Sequence, residues 1–253
     1  MSDHKTPDFL VVIPARLGST RLPRKPLADI GGKPMVVRVA ERAKQSLTQS
    51  VVVATDSAEI EAACNAHRIE CLLTSPDHPT GTDRLAEVVQ LLKLSANTLL
   101  VNVQGDEPLI PPELINQVAH TLANHPQCAI STIAVPITEK SEIDNPNIVK
   151  VALNHANEAM YFSRAPIPFV RDTQSTHKTE HLRHLGIYAY RADFLQAFTK
   201  LEPAPPEQAE ALEQLRALWN GYRIAVHIAS EAPPAGVDTP ADLERVRRLL
   251  GAE

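Results

Sequence analysis

Long apolar runs are missing from this 253-residue chain. None approaches the length needed to span a bilayer, and the opening MSDHKTPDFL lacks the apolar core of a secretion signal, so a soluble, cytoplasmic protein without membrane association is expected. Cysteine is scarce. Cys64, Cys71 and Cys128 are odd in number and form no C-x-x-C pair, which points to reduced structural thiols and away from disulfides. No internal repeat or low-complexity tract is present, and no Ser or Cys arrangement suggests a covalent nucleophile. Both standard phosphate-loop spacings are absent. Lys33 after Gly31 and Gly32 is followed by proline, which excludes G-x-x-x-x-G-K-[ST], and G-x-G-x-x-G does not occur.

What the chain does have is one basic loop in an acidic protein. The net charge is −5, yet between Arg16 and Lys33 the residues Arg16, Arg21, Arg24, Lys25 and Lys33 face a single acid, Asp29. A localised positive loop in an otherwise acidic chain favours a small anionic ligand over nucleic acid along a broad face. Gly18, Ser19, Gly31 and Gly32 would let backbone approach that ligand. Phe9 to Ile13 is a continuous β-branched and aliphatic run, as expected of a strand buried on both faces, and Pro14 ends it. The basic loop therefore leaves the carboxyl end of the first strand, where open α/β sheets bind their ligands. Because its charges follow the strand and do not pack within it, they are expected to act on phosphate and not on folding.

Strand and helix patterns then alternate. Val51 to Ala54, Ile69 to Leu73, Thr98 to Val103 and Ala129 to Val135 read as strands. Between them come a helix behind Pro34, one capped in Thr55-Asp56-Ser57, one with Leu85, Val88, Val89 and Leu92 on its buried stripe and Thr82 as cap, and one opened by Pro111-Pro112-Glu113. This rhythm predicts an α/β fold with a Rossmann-like, mainly parallel sheet covered by helices on both faces. After Pro136 the rhythm changes. A hairpin is expected around Asn154-His155-Ala156-Asn157, and a further strand over Leu185 to Tyr190. The expected division is a body of residues 1–136 and 191–253 with a smaller antiparallel lobe over 137–190, a site for subunit pairing. A helix over Glu207 to Trp219, a strand over Arg223 to Ile228, and a last helix with Thr239 as N-cap and Pro240 behind it return to the body.

Two acids stand out. Asp106, in QGDEP directly after a buried strand, belongs at the sheet rim beside the basic loop, where a carboxylate suits Mg²⁺ shared with substrate phosphates, or equally an ordinary turn cap. Asp238 precedes the last helix, and Asp-Thr-Pro is sufficient helix-start chemistry by itself. His177, His181 and His184 have zinc-like helical spacing. His184, however, begins a strand-like run, and no further ligands complete a closed site.

The segment VVIPARLGSTRLPRKPL resembles the opening of the CMP-Kdo synthetases, which activate 3-deoxy-manno-octulosonate (Kdo) from CTP. VNVQGDEP, NPN, FSRAPIP, HLGIYAYR, LEQLR and GVDTP follow in the family's order, so that the resemblance runs from about Phe9 to Leu250. One departure is Arg24, where the family usually has glycine. The resemblance implies a nucleotide-diphospho-sugar transferase type of fold, Mg²⁺ at Asp106 and Asp238, and Arg16 and Lys25 stabilising departing pyrophosphate. It further implies CTP contacts at Pro14, Ala15, Arg16, Arg21, Lys25, Gly81, Arg84 and Gln104. On the acceptor side, His184, Gly186, Tyr188 and Gln214 would face Kdo and Arg164 its carboxylate, with His181 and Tyr190 structural. The implied protein is a homodimeric enzyme serving lipopolysaccharide assembly. The alternatives are a cytidylyltransferase for 8-amino-Kdo or a sialic acid, and a non-catalytic nucleotide-binding regulator.

Overall fold

The computed structural model describes residues 7–18, 21–172 and 180–251. Ser19, expected to bring backbone near a ligand, and His177 of the histidine series lie outside them.

The first strand, β1 (Phe9–Ala15), sets the frame. Phe9, Val11, Ile13 and Ala15 enter one apolar core while Leu10 and Val12 enter the other, which is the two-residue period of a strand covered on both faces. Full burial of each such aliphatic side chain stabilises by about 1.5–3 kcal/mol, so the strand's carboxyl end is a firm platform for the loop that follows. That loop contains a short 3-10 turn at Lys25–Leu27 and a two-stranded ribbon, β2 (Asp29–Ile30) with β3 (Lys33–Pro34). Arg24, just before the turn, has φ 58°, the left-handed region that suits glycine, and its guanidinium pairs with Glu59.

The chain continues through α1 (Met35–Ala43), β4 (Ser50–Thr55), α2 (Ala58–Ala66), β5 (Glu70–Leu73), α3 (Gly81–Leu91), β6 (Leu99–Asn102), α4 (Pro112–Asn124) and β7 (Ile130–Pro136). Next come α5 (Lys140–Ile143), the hairpin of β8 (Lys150–Leu153) and β9 (Ala159–Ser163), then β10 (Leu182–Arg191) and α6 (Ala192–Phe198). Two short helices, α7 (Pro205–Glu210) and α8 (Gln214–Trp219), precede β11 (Ile224–Ile228) and α9 (Pro240–Leu250). Helices α1, α2, α4 and α9 supply one core, and α3, α6 and α8 the other.

The main sheet runs β11-β7-β10-β6-β1-β4-β5, with β8 and β9 extending it from β10. β10 is antiparallel to both neighbours and every other pairing along that path is parallel. This corrects the expected lobe. Its last strand lies in the centre of the body, because β10 sends Leu185, Ile187 and Ala189 into one core and Leu182 and Tyr190 into the other. The β8–β9 hairpin extends that same sheet at its side, with its turn at Asn157, φ 55°. Two local expectations also change. Thr80, not Thr82, caps α3 by accepting from the Asp83 amide, and the helix expected over Glu207 to Trp219 breaks at Ala211, φ 51°.

Candidate active site

Close backbone packing assembles the charged end of the site. A Cβ on Gly105 would lie 3.0 Å from the Pro14 carbonyl oxygen, and one on Gly236 would lie 3.0 Å from that of Asp106. Glycine at both positions lets the segment after β6 press on the end of β1 and lets the segment before α9 press on Asp106. The Val237 amide then donates to the Asp106 carbonyl at 2.8 Å.

The consequence is a convergence of residues separated by more than two hundred positions. Lys25 Nζ donates to Asp106 Oδ2 at 2.7 Å, to the Val237 carbonyl at 2.9 Å and to Asp238 Oδ1 at 3.1 Å. Arg21 donates to the same Asp238 oxygen at 3.0 Å. Burial alone pushes the Lys25 ammonium down, but its bonds and charge contacts with Asp106, then Asp238, outweigh that and raise it above the ordinary lysine range. Lys25 is thus no free loop cation, since its side chain is 16% exposed and ties three chain segments together. Lys25 is therefore a structural brace as well as a loop charge.

Arg21, Lys25 and Asp106 border a cleft of about 350 Å³ that also takes in Pro14, Ala15, Arg16 and Gln104. It adjoins a second space of about 190 Å³, lined by Pro14, Ala15, Arg16 and Gln104 again together with His78, Thr80, Gly81 and Arg84. Arg84 is only 3% exposed, and its guanidinium is held by Asp56 at 3.0 Å and by the Thr74 hydroxyl. It contributes a fixed wall. Gln104 Nε2 donates to the Gly186 carbonyl at 3.4 Å, joining this cleft to β10.

The acceptor-side residues fall into two groups. His184 and Tyr188 share a face of β10 with ring centroids 5.4 Å apart, and His184 meets Phe162 edge-on at 4.9 Å. The pairing of β10 with β7 shifts between Leu185 and Tyr188, a bulge that leaves Gly186 exposed. The single Thr132 hydroxyl lies 2.7 Å from the Ile187 carbonyl, 3.1 Å from that of Leu185 and 2.9 Å from His184 Nε2. Carbonyls only accept, so the hydroxyl donates to the bulge and accepts from His184 Nε2–H, which leaves Nδ1 as the acceptor. Burial pushes His184 down to about 3, keeping the ring neutral.

Tyr188 and Gln214 line a small internal cavity of about 30 Å³ with Thr82, Tyr190 and Glu213. Glu213 Oε2 accepts from the Thr82 hydroxyl at 2.6 Å. Glu213 Oε1, Gln214 Nε2 and Asn102 Oδ1 are buried without a hydrogen-bond partner. Arg164 braces the backbone. Its Nε donates to the Glu210 carbonyl at 2.7 Å and its terminal nitrogens to the Pro146 and Ala211 carbonyls at 3.0 and 3.5 Å. Three of its five N–H donors hold the elbow between α7 and α8, which delivers Glu213 and Gln214.

Glu213 and Thr132 escaped the sequence-based reading, and Thr82 entered it only as a helix cap. Glu213 adjoins Gln214 in LEQLR, but the helix break that makes it the residue before α8 has no marker beyond a left-handed alanine. Thr132 sits inside an apolar strand, where its hydroxyl looks incidental until the β10 bulge is opposite it.

A model of the cytidylyltransferase family matches residues 10–224. A 3-deoxy-manno-octulosonate cytidylyltransferase of Polynucleobacter asymbioticus is 84% identical over 247 residues, 98% of this chain and 97% of that one. The chain belongs to the 3-deoxy-manno-octulosonate cytidylyltransferase family. A second member, from Polynucleobacter necessarius subsp. necessarius, is 82% identical over 249 residues, covering 98% of both chains. Among solved structures, a CMP:2-keto-3-deoxy-manno-octonic acid synthetase complexed with CTP superposes with a TM-score of 0.90 at 43% identity, covering 97% of this chain and 99% of that one. A cytidylyltransferase from Leptospira borgpetersenii, with a TM-score of 0.63 at 17% identity over 97% of this chain and 88% of that one, shares the fold. Membership agrees with the architecture, a mainly parallel sheet under helices on both faces.

The donor set suits a hard divalent cation. Asp106 and Asp238 offer only oxygens and come within reach of one Lys25 nitrogen. No group of three or more His, Cys, Asp or Glu that could hold a metal gathers among the described residues. Two carboxylates with substrate phosphates completing the shell is how Mg²⁺ is commonly held.

Proposed function

We propose that this enzyme transfers CMP from CTP to the anomeric hydroxyl of 3-deoxy-manno-octulosonate, giving CMP-Kdo and pyrophosphate. The observation that carries this reading is the meeting of Lys25, Asp106 and Asp238 at the carboxyl ends of β1 and β6, beside Arg16 and Arg21. A relative superposing over nearly the whole chain was solved with CTP.

The chemistry is a direct displacement. The sugar hydroxyl forms a bond to the α-phosphorus, its proton passes to solvent, and the bond to the bridging oxygen of the β-phosphate breaks. Arg16, Arg21 and Lys25 hold the triphosphate and offset the charge that grows on the departing pyrophosphate. Pro14, Ala15 and Gly81 form the walls that admit the nucleotide, while Arg84, braced by Asp56 and Thr74, and Gln104 border the base. Mg²⁺ bound through Asp106 and Asp238 would neutralise phosphate charge and acidify the attacking hydroxyl. On the acceptor side the neutral His184 ring, Tyr188, Gln214 and the backbone at Gly186 orient the sugar. Arg164 holds the elbow before α8 through three carbonyls, and its two remaining N–H donors are the proposed partners of the sugar's carboxylate.

The product fits a role in lipopolysaccharide assembly, carried out in the cytoplasm where CTP is made. The exposed Met160 and Tyr161 on β9 are the surface proposed for homodimer pairing. Incubation with CTP, Mg²⁺ and Kdo is expected to release one pyrophosphate per CMP-Kdo formed. Substituting 8-amino-Kdo, a sialic acid or ATP is expected to give far less, and equal turnover of any of them, or none with Kdo, overturns the reading.

A further inference from the structure

We propose that Thr82 is a positioning residue that couples the nucleotide cleft to the acceptor pocket through Glu213. The inference rests on the reaction proposed above and adds a residue and a linkage to it.

Thr82 occupies the first turn of α3, one residue after Gly81, which lines the nucleotide side with a would-be Cβ 3.6 Å from the Pro14 ring. Its side chain points away from that cleft and is 3% exposed. A threonine hydroxyl has one proton, and here it goes to Glu213 Oε2 at 2.6 Å, across 131 residues of sequence. This bond fastens the start of α3 to the residue preceding α8.

The unsatisfied atoms show what the bond is for. Glu213 Oε1 and the neighbouring Gln214 Nε2 have no partner, and both side chains border the 30 Å³ cavity shared with Tyr188 and Tyr190. A buried carboxylate oxygen without a partner costs folding free energy, which a donor supplied by a ligand in the cavity would recover. Burial pushes the Glu213 carboxyl upward, and its bonds to Thr82 and then Thr80 oppose that push. With Oε2 fixed by Thr82, Oε1 is held as an acceptor, beside the Gln214 amide as a donor. That pairing suits hydroxyl groups of a polyhydroxylated sugar. Since Thr82 and Gly81 are adjacent in one helical turn, a nucleotide that restrains that turn would restrain Glu213 with it. Nucleotide binding should therefore tighten acceptor binding, and linkage requires the reverse effect to be equally large.

The test compares Thr82→Val, which keeps the shape and removes the hydroxyl, with Thr82→Ser, which keeps the hydroxyl. CTP affinity and Kdo affinity are measured by calorimetry, each with and without the other substrate and with a non-hydrolysable CTP analogue in the ternary case, alongside KM for each. Thr82→Val is expected to raise the KM for Kdo by about 10-fold or more, leave binding of CTP alone within about 2-fold, and abolish the gain in Kdo affinity that CTP confers; hydrogen bonds to charged groups have this order of effect. Thr82→Ser is expected to restore both. Equal losses for CTP and Kdo, a serine variant as impaired as valine, or a CTP-linked gain that survives in valine overturns the proposal. Should Thr82→Val fail to fold, Glu213→Gln is expected to give the same split between substrates, and an even loss overturns it. Wild-type protein that releases no pyrophosphate with Kdo overturns the functional reading itself, whereas normal wild-type turnover with an unaltered Thr82→Val variant removes this inference alone.

Discussion

The nucleotide end of the cleft holds its polar groups by ion pairs, Lys25 between Asp106 and Asp238 with Arg21 on the latter. The acceptor end holds a neutral histidine, stacked tyrosines and a buried carboxylate with hydrogen-bonding capacity left over. On the proposed function, the contrast follows from what each end recognises. A triphosphate is matched by charge, which can sit on an open loop since attraction tolerates imperfect geometry. A sugar is matched by direction, so its partners sit on a strand and a helix start where packing fixes each atom. Changes at the charged end should therefore cost rate steeply, and changes at the neutral end should cost acceptor affinity in small steps.

The largest expected effect is at the acid pair. Asp106→Asn or Asp238→Asn should each lower pyrophosphate release by at least ~100-fold, the scale of losing a key electrostatic stabiliser. Either variant retaining full turnover would remove the distinction between the two ends. Lys25→Met comes next. It should lower kcat/KM for CTP by about 10-fold or more and also destabilise the ligand-free protein by roughly 1–2 kcal/mol, because Asp106 and Asp238 lose their shared donor. Chemical denaturation beside CTP kinetics checks both parts, and unaltered CTP kinetics would leave Lys25 a structural brace only.

At the neutral end Gln214→Ala should raise the KM for Kdo by roughly 2- to 10-fold with CTP affinity little changed, as for one hydrogen bond to an uncharged hydroxyl. A matching loss for CTP would blur the two regions. The smallest effect is on pH dependence. Burial pushes His184 down to about 3 from its ordinary value near 6.5, so between those values the unfolded chain binds the extra proton. Its contribution to stability is present above pH ~6.5 and is lost as pH falls toward 3. His184→Gln should flatten that part of the stability profile, and an unchanged slope would show that His184 is not held neutral.

Legibility in the sequence divides along the same line. The basic loop and Asp106 after a strand were visible because charge and turn chemistry are local properties, written within a few residues, whereas Asp238 read locally as helix-start chemistry and joined the site only through the family resemblance. The Thr239 cap and the β1 core pattern were visible for the same reason. Arg24 stood out as a departure, and its left-handed backbone supplies the reason glycine suits the position.

Composition and local pattern alone determined that this chain would bury a two-faced sheet and carry a positive loop at the end of its first strand. Only the tertiary structure decided that β10 enters that sheet antiparallel between β6 and β7, since strand direction depends on how the chain returns and not on which residues are apolar. It likewise decided that Arg164 holds three carbonyls and that Glu213, unremarkable in sequence, ends beside Thr82. Hydrogen-bond partners far apart in the chain are fixed by packing, and no short stretch of residues encodes them.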